Sequence, residues 1–179
     1  IAVSYKSGID PWKFNSHEVK PEKSMPIGVV LTLSAAGSEM SSSCVITNLE
    51  LQIKQGFNSE VNRPLFAIMN AELTYSVNKY QTACGSVDIM SHIIEVYFNM
   101  EPDLFMLDTF MEGMMKTVIK YAPIAMQEPD NYEARANLMW TSSWAINGFI
   151  NGGRAKAWSC HPMEHQLSAV YDITHGLGL

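Results

Sequence analysis

Apolar positions along the chain follow two regimes. In the first, short apolar runs are separated by Pro, Gly and Ser. Residues 25–33 (MPIGVVLTL) contain a run of strand length rich in Val, Ile and Leu. A nearly continuous apolar run predicts a strand buried on both faces, as in an α/β sheet. A small-residue loop, Ser34 to Ser38, follows it. Residues 44–47 (CVIT) predict a second short strand, and residues 65–69 (LFAIM) another buried one, whereas 51–57 fits either helix or strand.

From about Leu73 the period changes to that of a helix. Apolar residues recur at helical spacing over 87–98, over 104–124 and over 132–149. Pro123 and Pro129 are expected to bracket a break, and Gly152-Gly153 to end the third helix. Residues 155–171 form a further helical candidate, in which Pro162 fits only a first turn or a kink. The chain therefore divides near residue 80. Residues 1–80 are expected to be an α/β part, and 81–179 an all-helical part. No repeat or low-complexity tract is present.

Composition narrows the possibilities. An apolar fraction of 47% with 17% charged residues excludes a disordered chain. Twelve basic against 18 acidic side chains give a net charge of −6, and no Lys/Arg block occurs. That balance argues against nucleic acid and anionic membrane as partners, and no apolar run is long enough for a membrane span. Cys44, Cys84 and Cys160 are odd in number and far apart, which fits a reducing cytoplasm better than a disulfide framework. The chain begins at Ile1 and ends in Gly176-Leu177-Gly178-Leu179, and the expectation is a piece of something longer. Ten of the 12 Met lie between Met69 and Met163, where flexible core filling is the expected use.

Four of the five histidines fall in the helical part, while His17 lies in a polar stretch expected at the surface. Asp88 and His92 are one helical turn apart, so both can reach one metal ion; from this pair alone, a helix-start Asp and a satisfied buried His are the more ordinary explanation. His161 and His165 repeat that spacing, but Glu164 precedes the second His rather than following the first, so the HExxH order of zinc proteases fails. His175 lies 14 residues beyond His161, either about four turns along one helix or at a helix end near the same site. A mixed oxygen and nitrogen set suits Fe(II), Zn(II) or a related divalent ion. Spacing alone leaves His165 and His175 both open as the fourth ligand.

Two strings carry a family resemblance. GSVDIMSHIIEVY (85–97) and HPMEHQLSAVYDITHG (161–176) closely resemble the iron-containing (group III) alcohol dehydrogenases, in particular the bacterial NAD(P)H-dependent butanol dehydrogenases, and the resemblance runs along essentially the whole chain. It implies a dehydroquinate synthase-like architecture: the end of a Rossmann-like dinucleotide-binding domain, then an all-helical metal-binding domain. It places the metal ligands on Asp88, His92, His161 and His175, and makes His165 a non-ligand proton relay near nicotinamide and substrate. TLSAAGSE (32–39) is similar to the family's TTAGTGSE loop, and cofactor contacts are implied at Thr32, Leu33, Ser41, Lys54 and Leu73. For Lys54 the bland alternative is an ordinary solvated lysine.

The sequence also departs from the family. Ala36 stands where Thr is usual, and Ala71 falls where Asn/Asp-Pro-Glu-Leu is usual. The Gly-Gly-Gly-Ser pyrophosphate loop is expected upstream of Ile1. The implied activity is hydride transfer between NADH or NADPH and a small primary alcohol or aldehyde, in a homodimer. Alternatives are a glycerol dehydrogenase-like or other polyol enzyme, a non-redox metallohydrolase, and a fragment inactive by itself.

Overall fold

The computed structural model describes residues 1–98, 104–152 and 158–179. It is a mixed helix and sheet structure. Two short helices, α1 (Ala2–Ser7) and α2 (Pro11–Asn15), precede four short strands: β1 (Gly28–Val30), β2 (Ser43–Asn48), β3 (Ile53–Asn58) and β4 (Phe66–Ile68). Helices α3 (Lys79–Tyr97), α4 (Phe105–Gln127), α5 (Tyr132–Ile146), α6 (Cys160–Tyr171) and α7 (His175–Gly178) follow.

The strands form two small sheets. β1 pairs in parallel with β4, Gly28 opposite Phe66 and Val30 opposite Ile68. β2 pairs antiparallel with β3, Ser43 opposite Asn58 and Asn48 opposite Ile53. The 44–47 expectation matches β2, and the ambiguous 51–57 segment resolves as β3. The two apolar runs expected to be doubly buried do not follow the expectation. β1 covers only three residues of 25–33, and Val30, Phe66 and Ile68 are all more than half exposed. Double burial of a parallel strand requires helices over both faces, and the described residues supply no such cover.

Alternation along β3 sets its role. Phe57 points into a small core with Val3 and Phe14, and Lys54 lies on the opposite face of the strand. Asn15 pins α2 to this hairpin by donating to the carbonyls of Cys44 and Gln55.

The main core lies among α3, α4 and α5. Ile89, Ile93 and Val96 of α3 meet Leu107, Met111, Met114 and Val118 of α4 and Ala134 and Leu138 of α5. Each buried isoleucine contributes about 1.5–3 kcal/mol. The fully buried Met111 is core filler, as its position on an apolar helix face suggests. Pro123 sits inside α4 instead of ending it, and the break falls at Glu128–Asp130. The carbonyl that loses its helical partner belongs to Ile119, an exposed residue on the solvent side of the helix. α5 ends at Ile146, earlier than Gly152, and Gly148 with φ 100° makes the turn. α6 opens with Pro162 in its first turn; the start of the expected 155–171 helix lies partly outside the described residues.

α3 is buried on a second stripe as well: Cys84, Asp88, His92 and Glu95 recur at three- and four-residue spacing and are all buried. Glycines permit close approach to its first half. A Cβ on Gly85 would stand 2.4 Å from the Ser34 carbonyl oxygen, and one on Gly176 would stand 2.1 Å from that of Cys84. The small-residue loop and α7 are thereby brought against α3. In an unobstructed helix Gly85→Ala would stabilise by about 1 kcal/mol. Here it should lower the urea midpoint, because the added methyl displaces the 34–35 backbone; a higher midpoint would contradict this packing.

Candidate metal and cofactor site

Asp88 is 3% exposed on α3 and is the point on which the histidines converge. Its Oδ1 lies 3.6 Å from His92 Nε2, 3.4 Å from His161 Nε2 and 3.7 Å from His175 Nε2. His92 comes from the next turn of α3 and His161 from the start of α6. α6 stops at Tyr171, Asp172 adopts a left-handed conformation (φ 50°), and the reversed chain delivers His175 as the first residue of α7. The single long helix is thus excluded. The rings of His92 and His161 stack at 4.5 Å, and Trp158 meets both edge-on.

Donor atoms bound at about 2.1 Å around one tetrahedral ion stand about 3.4 Å apart. The separations around Asp88 Oδ1 match that spacing. Asp88, His92 and His161 offer ligand atoms mutually within 4.8 Å, and Glu164, His165 and His175 form a second such group beside them, so His175 falls outside the first group and meets it through Asp88. One oxygen and three imidazole nitrogens suit Fe(II) or Zn(II). Cys160, the soft donor beside His161, is exposed, and its N–H donates to Glu95 Oε1.

The electrostatics follow from burial. Desolvation pushes His92 down to about 4, so it is a neutral ring at neutral pH. Desolvation also pulls His161 down, but its hydrogen bonds to Asp88 and Glu95 outweigh that and raise it. Burial would raise Asp88, yet the hydrogen bond from His161 and the charges of the surrounding histidines hold it below its usual range.

Two carboxylates stand behind the histidines. Glu95, 8% exposed, is hydrogen-bonded through Oε2 to His161 Nδ1. Glu164, 1% exposed, is hydrogen-bonded through Oε2 to His175 Nδ1 and accepts the Ser168 hydroxyl at Oε1. Neither glutamate stands out as a site residue from sequence alone, Glu164 entering only as the residue that breaks the HExxH order. The available signal for Glu95 was its place one turn beyond His92 on the Asp88 stripe.

His165 lies beside this set. Its ring is 5.6 Å from that of His175 and 6.5 Å from that of His161. His17 is exposed, as expected. Among the expected cofactor residues, Thr32 and Leu33 follow the carboxyl end of β1, and Leu73 follows that of β4. These two parallel strands are neighbours, and in open α/β sheets ligands bind beyond the carboxyl ends of such strands; Leu73 lies in a short 3-10 turn, Ala71–Thr74, past β4. Ser41 is buried, and its hydroxyl accepts the Ser43 N–H. The 34–39 loop is held between helices: Ser34 packs on Gly85, Gly37 on Ser142, and Glu39 is hydrogen-bonded to Ser143. Ser34 Oγ is buried without a hydrogen-bond partner among the described residues. Lys54 is no solvated lysine; its Nζ lies 3.6 Å from Glu164 Oε2.

Comparison with known proteins gives the lineage. Residues 82–179 match the family model described as "Fe-containing alcohol dehydrogenase family, C-terminal", and residues 1–71 match "Iron-containing alcohol dehydrogenase". The chain belongs to the iron-containing alcohol dehydrogenase family. It is 49% identical to NADH-dependent butanol dehydrogenase A of Clostridium acetobutylicum, over 95% of this chain and 44% of that protein. It is 38% identical to the NADPH-dependent aldehyde reductase YqhD of Escherichia coli, over 97% of this chain and 45% of that one. The crystal structure of NADH-dependent butanol dehydrogenase A from Thermotoga maritima superposes with a TM-score of 0.95 at 39% identity, covering 99% of this chain and 44% of that one. The chain thus spans less than half the length of these iron-containing alcohol dehydrogenase relatives.

The environment of His165 is directly testable. Burial first, and the Lys54 cation second, push it down to about 4. Removing a positive charge makes protonation easier, so Lys54→Met should raise the His165 midpoint in an NMR titration of the metal-free protein. An unchanged midpoint would contradict the placement of Lys54 beside this histidine.

Proposed function

We propose that this chain carries the metal centre and part of the dinucleotide site of a metal-dependent alcohol dehydrogenase or aldehyde reductase acting on small, butanol-type primary alcohols and aldehydes. The observation that carries the reading is the set of three imidazole nitrogens 3.4–3.7 Å from one Asp88 oxygen. Asp88, His92, His161 and His175 would hold Fe(II) or Zn(II). Residues 1–80 would be the end of a Rossmann-like cofactor-binding domain and 81–179 the beginning of the helical metal-binding domain, in the dehydroquinate synthase-like arrangement. The family membership and the printed activities of the relatives support the substrate class and the use of NADH or NADPH. Three unpaired cysteines fit action in the cytoplasm, and no helix of the described residues is long and apolar enough to cross a membrane. A homodimer is the assembly that the resemblance implies.

When bound, the divalent ion would supply Lewis acidity toward the alcohol or aldehyde oxygen, and the nicotinamide would supply or accept the hydride. The chain's own residues do the rest. Asp88 and three neutral imidazoles leave such a site with a net charge near +1, which favours an oxygen with developing negative charge. Thr32, Leu33, Ser41 and Leu73 would contact the dinucleotide, with Thr32 and Leu33 placed just beyond the carboxyl end of β1. Lys54 would present its cation to phosphate or ribose oxygens while remaining near Glu164. His165, neutral at working pH, would accept a proton at one ring nitrogen and pass one from the other.

Ligand and relay roles separate in one experiment. In metal-loaded full-length protein containing this chain, assayed with butyraldehyde and NADH or NADPH, His175→Ala should lose bound metal and activity together. His165→Ala should keep its metal and lower kcat by about 10²–10⁴-fold. Metal retained by His175→Ala and lost by His165→Ala would reverse the assignment. A fully metal-loaded full-length protein containing this chain that reduces no aldehyde with either cofactor would sink the functional reading.

A further inference from the structure

Two of the histidines that face Asp88 are each backed by a buried glutamate, and the third is not. His161 directs Nε2 at Asp88 and Nδ1 at Glu95; His175 directs Nε2 at Asp88 and Nδ1 at Glu164. His92 Nδ1 is buried and has no hydrogen-bond partner among the described residues. We propose that Glu95 and Glu164 are positioning residues of the metal centre: each holds the proton on Nδ1 of its histidine and so keeps the Nε2 lone pair aimed at the ion. The inference rests on the metal-site reading given above and extends it to two residues outside its four ligands.

The physical basis is the two-tautomer nature of neutral imidazole. One ring nitrogen carries the proton, the other is free to ligate, and the partner of the first decides which is which. A carboxylate at Nδ1 fixes the tautomer, orients the ring and makes the ligating nitrogen more basic. That service requires a carboxylate that cannot turn away, and both glutamates are restrained. Glu95 Oε1 accepts the backbone N–H groups of Ser159 and Cys160, each at 2.6 Å. The chain segment that delivers His161 and the carboxylate that orients its ring are therefore one hydrogen-bonded unit. Glu164 is held by the Ser168 hydroxyl at one oxygen and has the Lys54 cation 3.6 Å from the other. Lys54 also offsets one of the negative charges gathered here, so the extra carboxylate does not leave the pocket excessively anionic.

The test is Co(II) binding to the protein carrying Glu95→Gln or Glu164→Gln, read by chelator competition and by the visible d–d absorption of the bound ion. Exposed Glu22→Gln serves as the control. Each site variant should bind Co(II) about 10–100-fold more weakly and shift its absorption bands, with the control unchanged. Site variants that match the unmodified protein in both affinity and spectrum would overturn the positioning role while leaving the metal site standing. Unaltered Co(II) binding by Asp88→Ala would instead remove the metal-site reading, and this proposal with it. The unmodified Zn(II)-loaded protein gives an answer that needs no variant. Nitrogen-15 NMR should report a protonated Nδ1 and a metal-bound Nε2 for both His161 and His175. Metal on Nδ1 of either ring would overturn the proposal.

Discussion

A carboxylate buried to the extent of Asp88 is costly unless cations or hydrogen bonds surround it. Its neighbours are three imidazoles, one of them held neutral by its own burial. Glu95 and Glu164 add two further buried carboxylates within one residue's reach, and Lys54 offsets only one charge. With neutral rings this cluster retains two excess negative charges, so a divalent ion would bring the whole cluster to neutrality while the ion with its four ligands alone keeps a charge near +1. Without the ion, the raised affinity of His161 for a proton supplies part of the missing positive charge. In the proposed reading a divalent ion would occupy the place among these groups that α3, α6 and α7 bring together.

The fold can be read as the support for this arrangement. α3 buries two stripes. Ile89 and Ile93 anchor it in the α4–α5 core, while Asp88, His92 and Glu95 face α6 and α7. The left-handed turn at Asp172 returns the chain so that His175 joins the set, and Gly176 allows α7 to sit directly on the backbone of α3. On the other side, Gly85 lets the 34–39 loop press against the same helix. The β2–β3 hairpin enters through Lys54, whose strand face is opposite to the one that buries Phe57. α3 therefore contacts both the elements that carry the proposed metal ligands and the loop that the family resemblance associates with the dinucleotide.

Much of this was legible in the sequence, for local reasons. Helical periodicity located α3, α4 and α5, and the i, i+4 spacing of Asp88 and His92 put both on one face. The two long histidine strings carried the family resemblance. What was not legible depends on partners distant in sequence. The apolar runs around Val30 and Phe66 look doubly buried because periodicity reports side-chain character and not whether anything covers the strand. Pro123 reads as a helix end, but the carbonyl that loses its partner belongs to exposed Ile119 and the helix continues. Spacing could not choose between His165 and His175, because the reversal at Asp172 brings His175 to Asp88. Glu95 looks like an ordinary helix carboxylate until the chain brings His161 against it 66 residues later.

The central claim is one oxygen and three imidazole nitrogens around one divalent ion. X-ray absorption at the metal edge of the iron- or zinc-loaded protein measures that set directly. The account predicts a first shell of nitrogen and oxygen scatterers only, at about 2.0–2.2 Å, with the outer-atom signature of several imidazole rings. A sulfur scatterer at about 2.3 Å, or a shell lacking imidazole, would contradict it.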